Sequence, residues 1–240
     1  MAKGGPYEFT DQDVERTLAE GRSLFDLLPG GFPPDAEGIA APYRARAEDA
    51  LDNLAEADPE GALGVLWASW HAAVDALRAD GAFGPPAGGT ATGLFVGEGG
   101  APKHAQGSLD ITWSGPVGDR QGDRKNHGRP WQALCLWSTE VIDNFVADGH
   151  PLAPGLAGEN IALTGLPWDR VVPGALLRVG DVALEISSYA VPCRKNAGWF
   201  TDGRFDMMHH KHGPVSRVYA TVLEPGPVRL GDPVLLEPAS

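Results

Sequence analysis

The stretch Ala133-Leu134-Cys135-Leu136-Trp137-Ser138, near the middle of the chain, contains the change of pattern that decides the fold. Five apolar residues in a row are enough for a short buried strand. Ser138 then favours the start of a helix, because its hydroxyl can accept a hydrogen bond from a backbone N–H of the first turn. That helix is predicted to end before Gly149 and to face inward through its apolar residues, Val141, Ile142, Phe145 and Val146.

Short strands precede and follow this stretch, and turn-forming residues separate them. They cover residues 92–96, 109–113, 160–163, 182–186, 217–223 and 233–236. Two related segments, 173–181 and 225–232, each predict a tight turn, a short strand and a Gly-Asp turn. Such strands are typical of small barrels and sandwiches, so residues 90–238 are predicted to form one mainly β domain with a few helices.

The first 85 residues predict a small α-helical region instead. A capping pattern begins one helix over about 10–28, and Pro42 is predicted to begin a second, with Leu54 on its apolar face. Asp58-Pro59-Glu60 begins a third, whose apolar stripe consists of Leu63, Leu66, Trp67, Trp70, Val74 and Leu77. Segment 84–89 is rich in Gly and Pro and is predicted to be a linker between the helical region and the β domain.

Composition and charge exclude several classes of function. The net charge is −13, and residues 1–85 alone carry 16 acids against 6 bases. Such a surface repels nucleic acid and anionic membranes, so neither is expected as a partner. Only two cysteines are present, which gives no disulfide framework, and no apolar run approaches the length of a membrane span. The N-terminus lacks the apolar core of a secretory signal, and we expect a cytoplasmic protein.

A cationic segment interrupts this acidic background. Residues 118–129 contain four fixed cations, Arg120, Arg124, Lys125 and Arg129, with only two acids, Asp119 and Asp123. Its glycines would let backbone N–H groups approach an anion. The segment therefore predicts a site for a small anionic ligand, and the alternative is a solvated turn with internal ion pairs.

The residues next to Cys193 favour a reactive thiolate. Pro192 stiffens the approach to it, and Arg194 and Lys195 follow directly. A cysteine acts as a nucleophile or metal ligand only as its thiolate, and adjacent cations favour that form. The alternative is a buried, inert cysteine beside two surface cations. Cys135 alternates with apolar neighbours and is predicted to be a core residue.

Taken together and in order, several segments resemble the MOSC domain, named for the C-terminal part of molybdenum cofactor sulfurases. The resemblance covers residues 93–237. It rests on Gly118-Asp119-Arg120-Gln121, His127-Gly128, the strand 133–136, Gly158-Glu159-Asn160, the segment 173–181 and Pro192-Cys193-Arg194-Lys195. It implies a MOSC-type β-barrel associated with the molybdenum cofactor, a metal bound to a molybdopterin.

The resemblance implies a role for each candidate site residue. Cys193 would ligate molybdenum and act as the catalytic cysteine. The cofactor's phosphate would be bound by cations, with Arg120, Arg124, Lys125, Arg194 and Lys195 as candidates. His127 and Asn160 can hydrogen-bond a pterin ring or a substrate. The first 85 residues are too short for the PLP-dependent domain of the sulfurases, so PLP is not expected.

Three functions share these residues. The first is a molybdenum cofactor-dependent oxidoreductase that reduces N-hydroxylated small molecules. It would need electrons from a separate reductase, because no motif for flavin, NAD or an iron–sulfur cluster is present. The second is a sulfur-transfer protein that carries a persulfide on Cys193. The third is a non-catalytic module that binds or carries the cofactor.

Overall fold

The structure is a computed structural model, and it describes Leu18, residues 36–120, Gly122 and residues 130–237. The described residues form two compact units, with the division between Pro85 and Pro86. The first predicted helix, over about 10–28, lies outside the described residues except for Leu18. No helix in the described parts of the chain combines the length and the hydropathy needed to cross a membrane.

In the first unit, helices α1 (Ala36–Asn53) and α2 (Pro59–Ala79) pack against each other. Helix α2 begins as predicted, because Asp58 accepts a hydrogen bond from the Gly61 N–H at 2.9 Å and Pro59 occupies the first turn. The six residues of its predicted apolar stripe are all buried. The prediction that Pro42 begins α1 was wrong: Pro42 lies inside the helix, and buried Ala40 extends the packed face beyond it. Leu54 follows the end of α1 and is 40% exposed.

The second unit is built from eleven strands, bounded as follows: β1 (Ala87–Val96), β2 (His104–Ala105), β3 (Ser108–Thr112), β4 (Gly115–Pro116), β5 (Leu134–Ser138), β6 (Ile161–Thr164), β7 (Leu176–Val179), β8 (Val182–Tyr189), β9 (Val218–Glu224), β10 (Gly226–Arg229) and β11 (Pro233–Leu236). Every strand predicted from the sequence is present. The two related segments supply β7 and β10.

Seven of these strands form a closed, mixed barrel. The order β11-β7-β8-β9-β5-β6-β1 is closed by pairing of β1 with β11, and only β5 and β6 run parallel within it. Strand β2 is added to β1, while β10, β3 and β4 form a second, smaller sheet. The predicted β-barrel fold is therefore confirmed. Inward-facing side chains fill its interior, among them Leu134, Leu136, Ile161, Leu163, Leu177, Leu184, Ile186, Val218 and Ala220.

Two local predictions were wrong. Gly88 and Gly89, assigned to the linker, pair with Leu235 and Val234 inside β1 and β11. Gly89 lies so close to the Thr164 carbonyl that a Cβ would collide with it, so glycine here allows close strand packing. Val146, predicted to face inward, is 45% exposed.

Among the described residues of the second unit, the one α-helix, α3 (Thr139–Ala147), is anchored at its start. Ser138 accepts a hydrogen bond from the Val141 N–H at 3.2 Å, as predicted. The Glu140 carboxylate accepts hydrogen bonds from Ser138, Thr164 and the Gly165 N–H, which ties the helix to the end of β6. Although partial burial raises the pKa of Glu140, these hydrogen bonds lower it to about 2.

Replacing Glu140 with Gln should destabilise the protein at pH 7 and have much less effect near pH 2. The folded-state pKa of about 2 lies below the ordinary value of 4.5 for a glutamate carboxyl. The stabilisation is therefore complete above about pH 4.5 and is lost as the pH falls through about 2. Because solvent screens this carboxylate, we expect a loss on the order of 1 kcal/mol in urea unfolding at pH 7. An equal loss at both pH values would contradict the assignment.

Candidate functional site

A pocket lies against the outer face of strands β5 and β9. Cys135 and Tyr219 are paired residues of these strands and both line the pocket. Leu134 and Leu136, which flank Cys135, point into the barrel, so Cys135 and Tyr219 point away from it. The walls come from loops, including the Gly99–Ala101, Ala157–Gly158 and Val191–Asn196 parts of the chain. A rigid sheet thus supports a site whose other walls are loops.

Cys193 lies at this pocket with a partly exposed side chain. It follows β8 and directly precedes the short 3-10 helix Arg194–Trp199. Its backbone N–H donates to Asn196 Oδ1 at 3.3 Å, and its Sγ lies 3.9 Å from the same oxygen. The Asn196 N–H donates back to the Cys193 carbonyl at 2.9 Å. These bonds fix the backbone of the cysteine and the direction of its thiol.

Asn196 in turn is held by two other parts of the barrel. It is 1% exposed, and its amide nitrogen donates to the Ala157 carbonyl at 3.1 Å. Arg217, directly before β9, donates from Nη2 to Asn196 Oδ1 at 3.3 Å and from Nη1 to the Ala157 carbonyl. The thiol of Cys193 is therefore positioned by contacts that join three separate segments of the chain.

A buried ion pair supports the pocket. Lys103 Nζ and Asp119 Oδ2 are 2.8 Å apart, and both side chains are only 4% exposed. Asp119 also accepts from the Gly97 N–H at 2.8 Å and from Asn160 Nδ2 at 3.1 Å. Asn160 Nδ2 donates as well to the Phe95 carbonyl, and its Oδ1 accepts from the Cys135 N–H. Both amide hydrogens of Asn160 are thus used within the protein.

Two further ionisable groups are buried in this part of the unit. Burial raises the pKa of Cys135 to about 11, which strongly disfavours its thiolate. Burial also raises the pKa of Glu159, and the hydrogen bond from the Gly155 N–H and the charges of Arg217 and Lys103 only partly oppose it. Glu159 is completely buried, and among the described residues its Oε2 has no hydrogen-bond partner.

The structure brings together some of the predicted site residues. Cys193, Lys195 and Asn160 line the same pocket. Arg120 and Arg194 are exposed, and neither is among the described residues that line the pocket. Arg124, Lys125 and His127 lie outside the described residues. Cys135 is buried, as predicted for a core residue, but it also lines the pocket.

Sequence reasoning missed Lys103, Asn196 and Arg217 as parts of the site. Lys103 follows a Gly-rich segment, and nothing in its neighbours indicates a buried ion pair. Asn196 lies three residues after Cys193, a spacing at which a side chain can bond back to the backbone, so this signal was present. Arg217 directly precedes β9, and only the folded chain brings it to Asn196.

Comparison with known proteins shows which family the chain resembles. Residues 123–235 match the family model of the MOSC domain. Over these residues the chain is similar to a MOSC domain. Relatives include protein YiiM of Escherichia coli (strain K12), 29% identical over 134 residues, which are 54% of this chain and 59% of YiiM. Another relative is the uncharacterized protein YflK of Bacillus subtilis (strain 168), 31% identical over 48% of this chain and 52% of YflK.

The chain thus spans 59% and 52% of the lengths of these two relatives. A solved structure, the crystal structure of a hypothetical protein, has a fold similar to that of this chain, with a TM-score of 0.50 and 23% identity. The match covers 67% of this chain and 70% of that one. The MOSC family is related to the C-terminal domain of molybdenum cofactor sulfurase and is associated in general with that cofactor.

The donor set of the pocket fits a sulfur-ligated metal centre that carries an anionic group. Cys193 supplies a soft sulfur donor that solvent reaches. Lys195 supplies a cation at the same pocket, and Gly99, Gly100, Gly122 and Gly158 give walls without side chains. In the described parts of the chain, no group of three or more His, Cys, Asp or Glu residues is arranged to hold a metal. The thiol of Cys193 fits one coordination position of a metal whose other ligands are not protein side chains.

Replacing Lys103 with Met should destabilise the protein by about 3–5 kcal/mol, because the Asp119 carboxylate would be left buried without its cation. The Lys103→Met/Asp119→Asn double variant should recover at least about 1 kcal/mol, since it removes the second charge. Chemical unfolding measures both. As a control, Arg178→Met breaks an exposed ion pair with Glu224 and should cost less than about 1 kcal/mol. Equal losses for Lys103→Met and Arg178→Met would contradict the buried pair.

Iodoacetamide at pH 8 should label Cys193 well before Cys135. Cys193 is partly exposed, whereas Cys135 is 5% exposed and burial raises its pKa to about 11. At pH 8 only about one Cys135 thiol in a thousand is ionised. Peptide mass spectrometry gives the two rates, and we expect a ratio above about tenfold. Similar rates in the folded protein would show that the pocket geometry is wrong.

Proposed function

We propose that this MOSC-like domain binds the molybdenum cofactor in the described pocket, with Cys193 as the protein ligand of the metal. We further propose that it reduces N-hydroxylated small molecules with electrons from a separate reductase. The observation that carries this proposal is the thiol of Cys193, partly exposed at a pocket beside Lys195 and held by the buried Asn196.

The chemistry divides between the cofactor and the chain. When bound, the cofactor supplies a metal that changes its oxidation state by two electrons. Reduction of an N-hydroxyl compound consumes two electrons and two protons, breaks the N–O bond and releases water and an amine. The residues of the chain bind the cofactor and orient it. Asn196 fixes Cys193 against the pocket, and Arg217 and Ala157 fix Asn196.

The burial of Glu159 and Cys135 suits a site that must hold an anionic cofactor. Burial raises the pKa of Glu159, which favours the neutral form of this carboxyl, and a neutral Cys135 adds no negative charge at the base of the pocket. Both effects reduce the negative charge that competes with a bound anion for Lys195 and Arg217. Lys103 does not contribute in this way, because Asp119 neutralises it.

The other predicted site residues keep defined roles in the proposal. Arg124 and Lys125 are candidates for binding the cofactor's phosphate, and His127 is a candidate for contact with the pterin. Arg120 and Arg194 do not line the pocket, and they are candidates for long-range attraction of the anionic cofactor or substrate. Asn160 can offer a bound ring only a remaining lone pair of Oδ1, because its amide hydrogens are already donated to Phe95 and Asp119.

The proposal is tested by the molybdenum and pterin content of the full chain purified from a host that makes the cofactor. About one metal and one pterin per chain, together with reduction of an N-hydroxylated base by a supplied chemical reductant, would support it. Cofactor without turnover would indicate a carrier. Protein without cofactor but with cyanide-labile sulfur on Cys193 would indicate the persulfide function instead.

Replacing Cys193 with Ser should reduce molybdenum retention and N-hydroxyl reduction by on the order of a hundredfold, because a hard hydroxyl replaces the soft thiolate ligand. The melting temperature should change little, since the side chain is partly exposed. Cys135→Ala is the matched control: it should cost about 1 kcal/mol of stability and keep the metal. Full metal content and activity in Cys193→Ser would show that the ligand is wrong.

A further inference from the structure

Glu159 is a completely buried carboxyl group that lies next to the pocket without lining it. Its neighbours Gly158 and Asn160 both line the pocket, whereas Glu159 is 0% exposed and does not. Its Oε1 accepts a hydrogen bond from the Gly155 N–H, and its Oε2 has no hydrogen-bond partner among the described residues. A buried charge without full pairing is costly, so the unpaired oxygen favours a neutral carboxylic acid. Burial also raises the pKa of Glu159, which favours the same form.

The Glu159 carboxyl fixes the turn that precedes it in the chain. While the Gly155 N–H donates to this carboxyl, the Gly155 carbonyl accepts from the N–H groups of Gly158 at 3.3 Å and Lys103 at 2.9 Å. Both backbone groups of Gly155 are therefore used within the protein. Gly155 has a φ of +88°, and because glycine adopts many conformations at little cost, its own preference does not hold the turn. The turn depends instead on the acceptor that Glu159 supplies.

This turn carries the carbonyl group that holds the loop of Cys193. The Ala157 carbonyl accepts from Asn196 Nδ2 at 3.1 Å and also from Arg217 Nη1. Asn196 Oδ1 accepts from the Cys193 N–H at 3.3 Å and lies 3.9 Å from Cys193 Sγ. Hydrogen bonds and the short backbone segment 155–157 therefore connect the buried carboxyl with the thiol.

The neutral form of Glu159 also determines where the Arg217 guanidinium binds. Arg217 donates to the Ala157 carbonyl and to Asn196 Oδ1, and its Nε has no hydrogen-bond partner among the residues that the structure describes. A negative charge on Glu159 would attract this guanidinium, which is close enough to oppose the effect of burial on the pKa of Glu159. As a neutral acid, Glu159 leaves Arg217 bound to Ala157 and Asn196.

We propose that Glu159 is a positioning residue for Cys193: as a neutral hydrogen-bond acceptor it fixes the turn 155–158 and, through Ala157 and Asn196, the direction of the thiol. It is not a catalytic residue, because it does not line the pocket. Its effect on the thiol holds whichever chemistry Cys193 performs, whereas its effect on metal retention rests on the proposed function.

The test compares Glu159→Gln with Glu159→Met in the full chain, with iodoacetamide labelling of Cys193 followed by peptide mass spectrometry. Glutamine is uncharged and keeps an acceptor for the Gly155 N–H, so the labelling rate should stay within about twofold of that of the parent protein. Methionine fills a similar volume but offers no comparable acceptor. The rate should then rise about fivefold, the equivalent of one lost hydrogen bond, because the released thiol is more accessible.

Two controls separate positioning from a general loss of stability. Cys135 is the internal control, because unfolding would expose both cysteines, and its rate should stay low in both variants. Glu140→Gln also removes a carboxylate that accepts a backbone N–H, here from Gly165, but Glu140 does not line the pocket. It should lower stability and leave the labelling rate of Cys193 unchanged.

Three results overturn the proposal. They are an unchanged or lower Cys193 rate in Glu159→Met, an equal rise for Cys135 and Cys193 in that variant, and a Cys193 rate in Glu159→Gln as high as in Glu159→Met. If Glu159→Met does not fold by circular dichroism, Glu159→Asp decides, because its carboxyl is one methylene further from Gly155. Its Cys193 rate should be about threefold that of Glu159→Gln, and equal rates in these two variants overturn the proposal.

A second measurement distinguishes failure of this inference from failure of the proposed function. In a host that makes the cofactor, Glu159→Met should retain about fivefold less molybdenum than the parent protein, and Glu159→Gln should retain as much as the parent. Faster labelling of Cys193 in Glu159→Met, with no molybdenum in the parent or the variants, supports the positioning role and removes the proposed function. Equal molybdenum in the parent and both variants overturns Glu159 as a positioning residue for a metal ligand.

Discussion

Lys103 and Asp119 are buried together behind the pocket, with nitrogen and oxygen 2.8 Å apart. Through Asp119 the pair binds the backbone of Gly97, and through Asn160 it reaches Phe95 on β1 and Cys135 on β5. Two charges this deep are stable only when each keeps its partner and its hydrogen bonds. The loop that lines the pocket can therefore take only the conformation in which this network is complete.

The pocket lies outside the barrel. The residues that stabilise the barrel are therefore different from those that line the candidate site. Aliphatic side chains fill the interior and need no polar group, while β5 and β9 present Cys135 and Tyr219 to the loops that cover them. Cys193 comes from one of those loops and is fixed by Asn196 instead of by the sheet. Loops held on a rigid sheet can carry reactive groups without weakening the core.

Local rules predicted the parts of the structure that depend on neighbouring residues. The strands, the cap at Ser138, the start of α2 at Asp58 and the apolar stripe of α2 were all correct. The errors occurred where packing overrides a local preference. Pro42 remains inside α1 because the packed face continues through Ala40, and Gly88 and Gly89 pair as a strand although glycine suggests a linker. For the site, the pattern around Cys193 was informative, but it gave no indication of Lys103 or Arg217.

The sequence by itself determined the resemblance to the MOSC domain, the order of the strands along the chain and the choice of Cys193 as the candidate reactive cysteine, because each depends on residue types at short, fixed spacings. Tertiary structure alone decided that the pocket is on the outer face of the barrel and that Asn196 and Arg217 hold Cys193. It also decided which cations reach the pocket: Lys195 does, whereas Arg194, its neighbour, is exposed and does not line it. These contacts join residues far apart in the chain, and only the pairing of strands around a closed sheet brings such residues together.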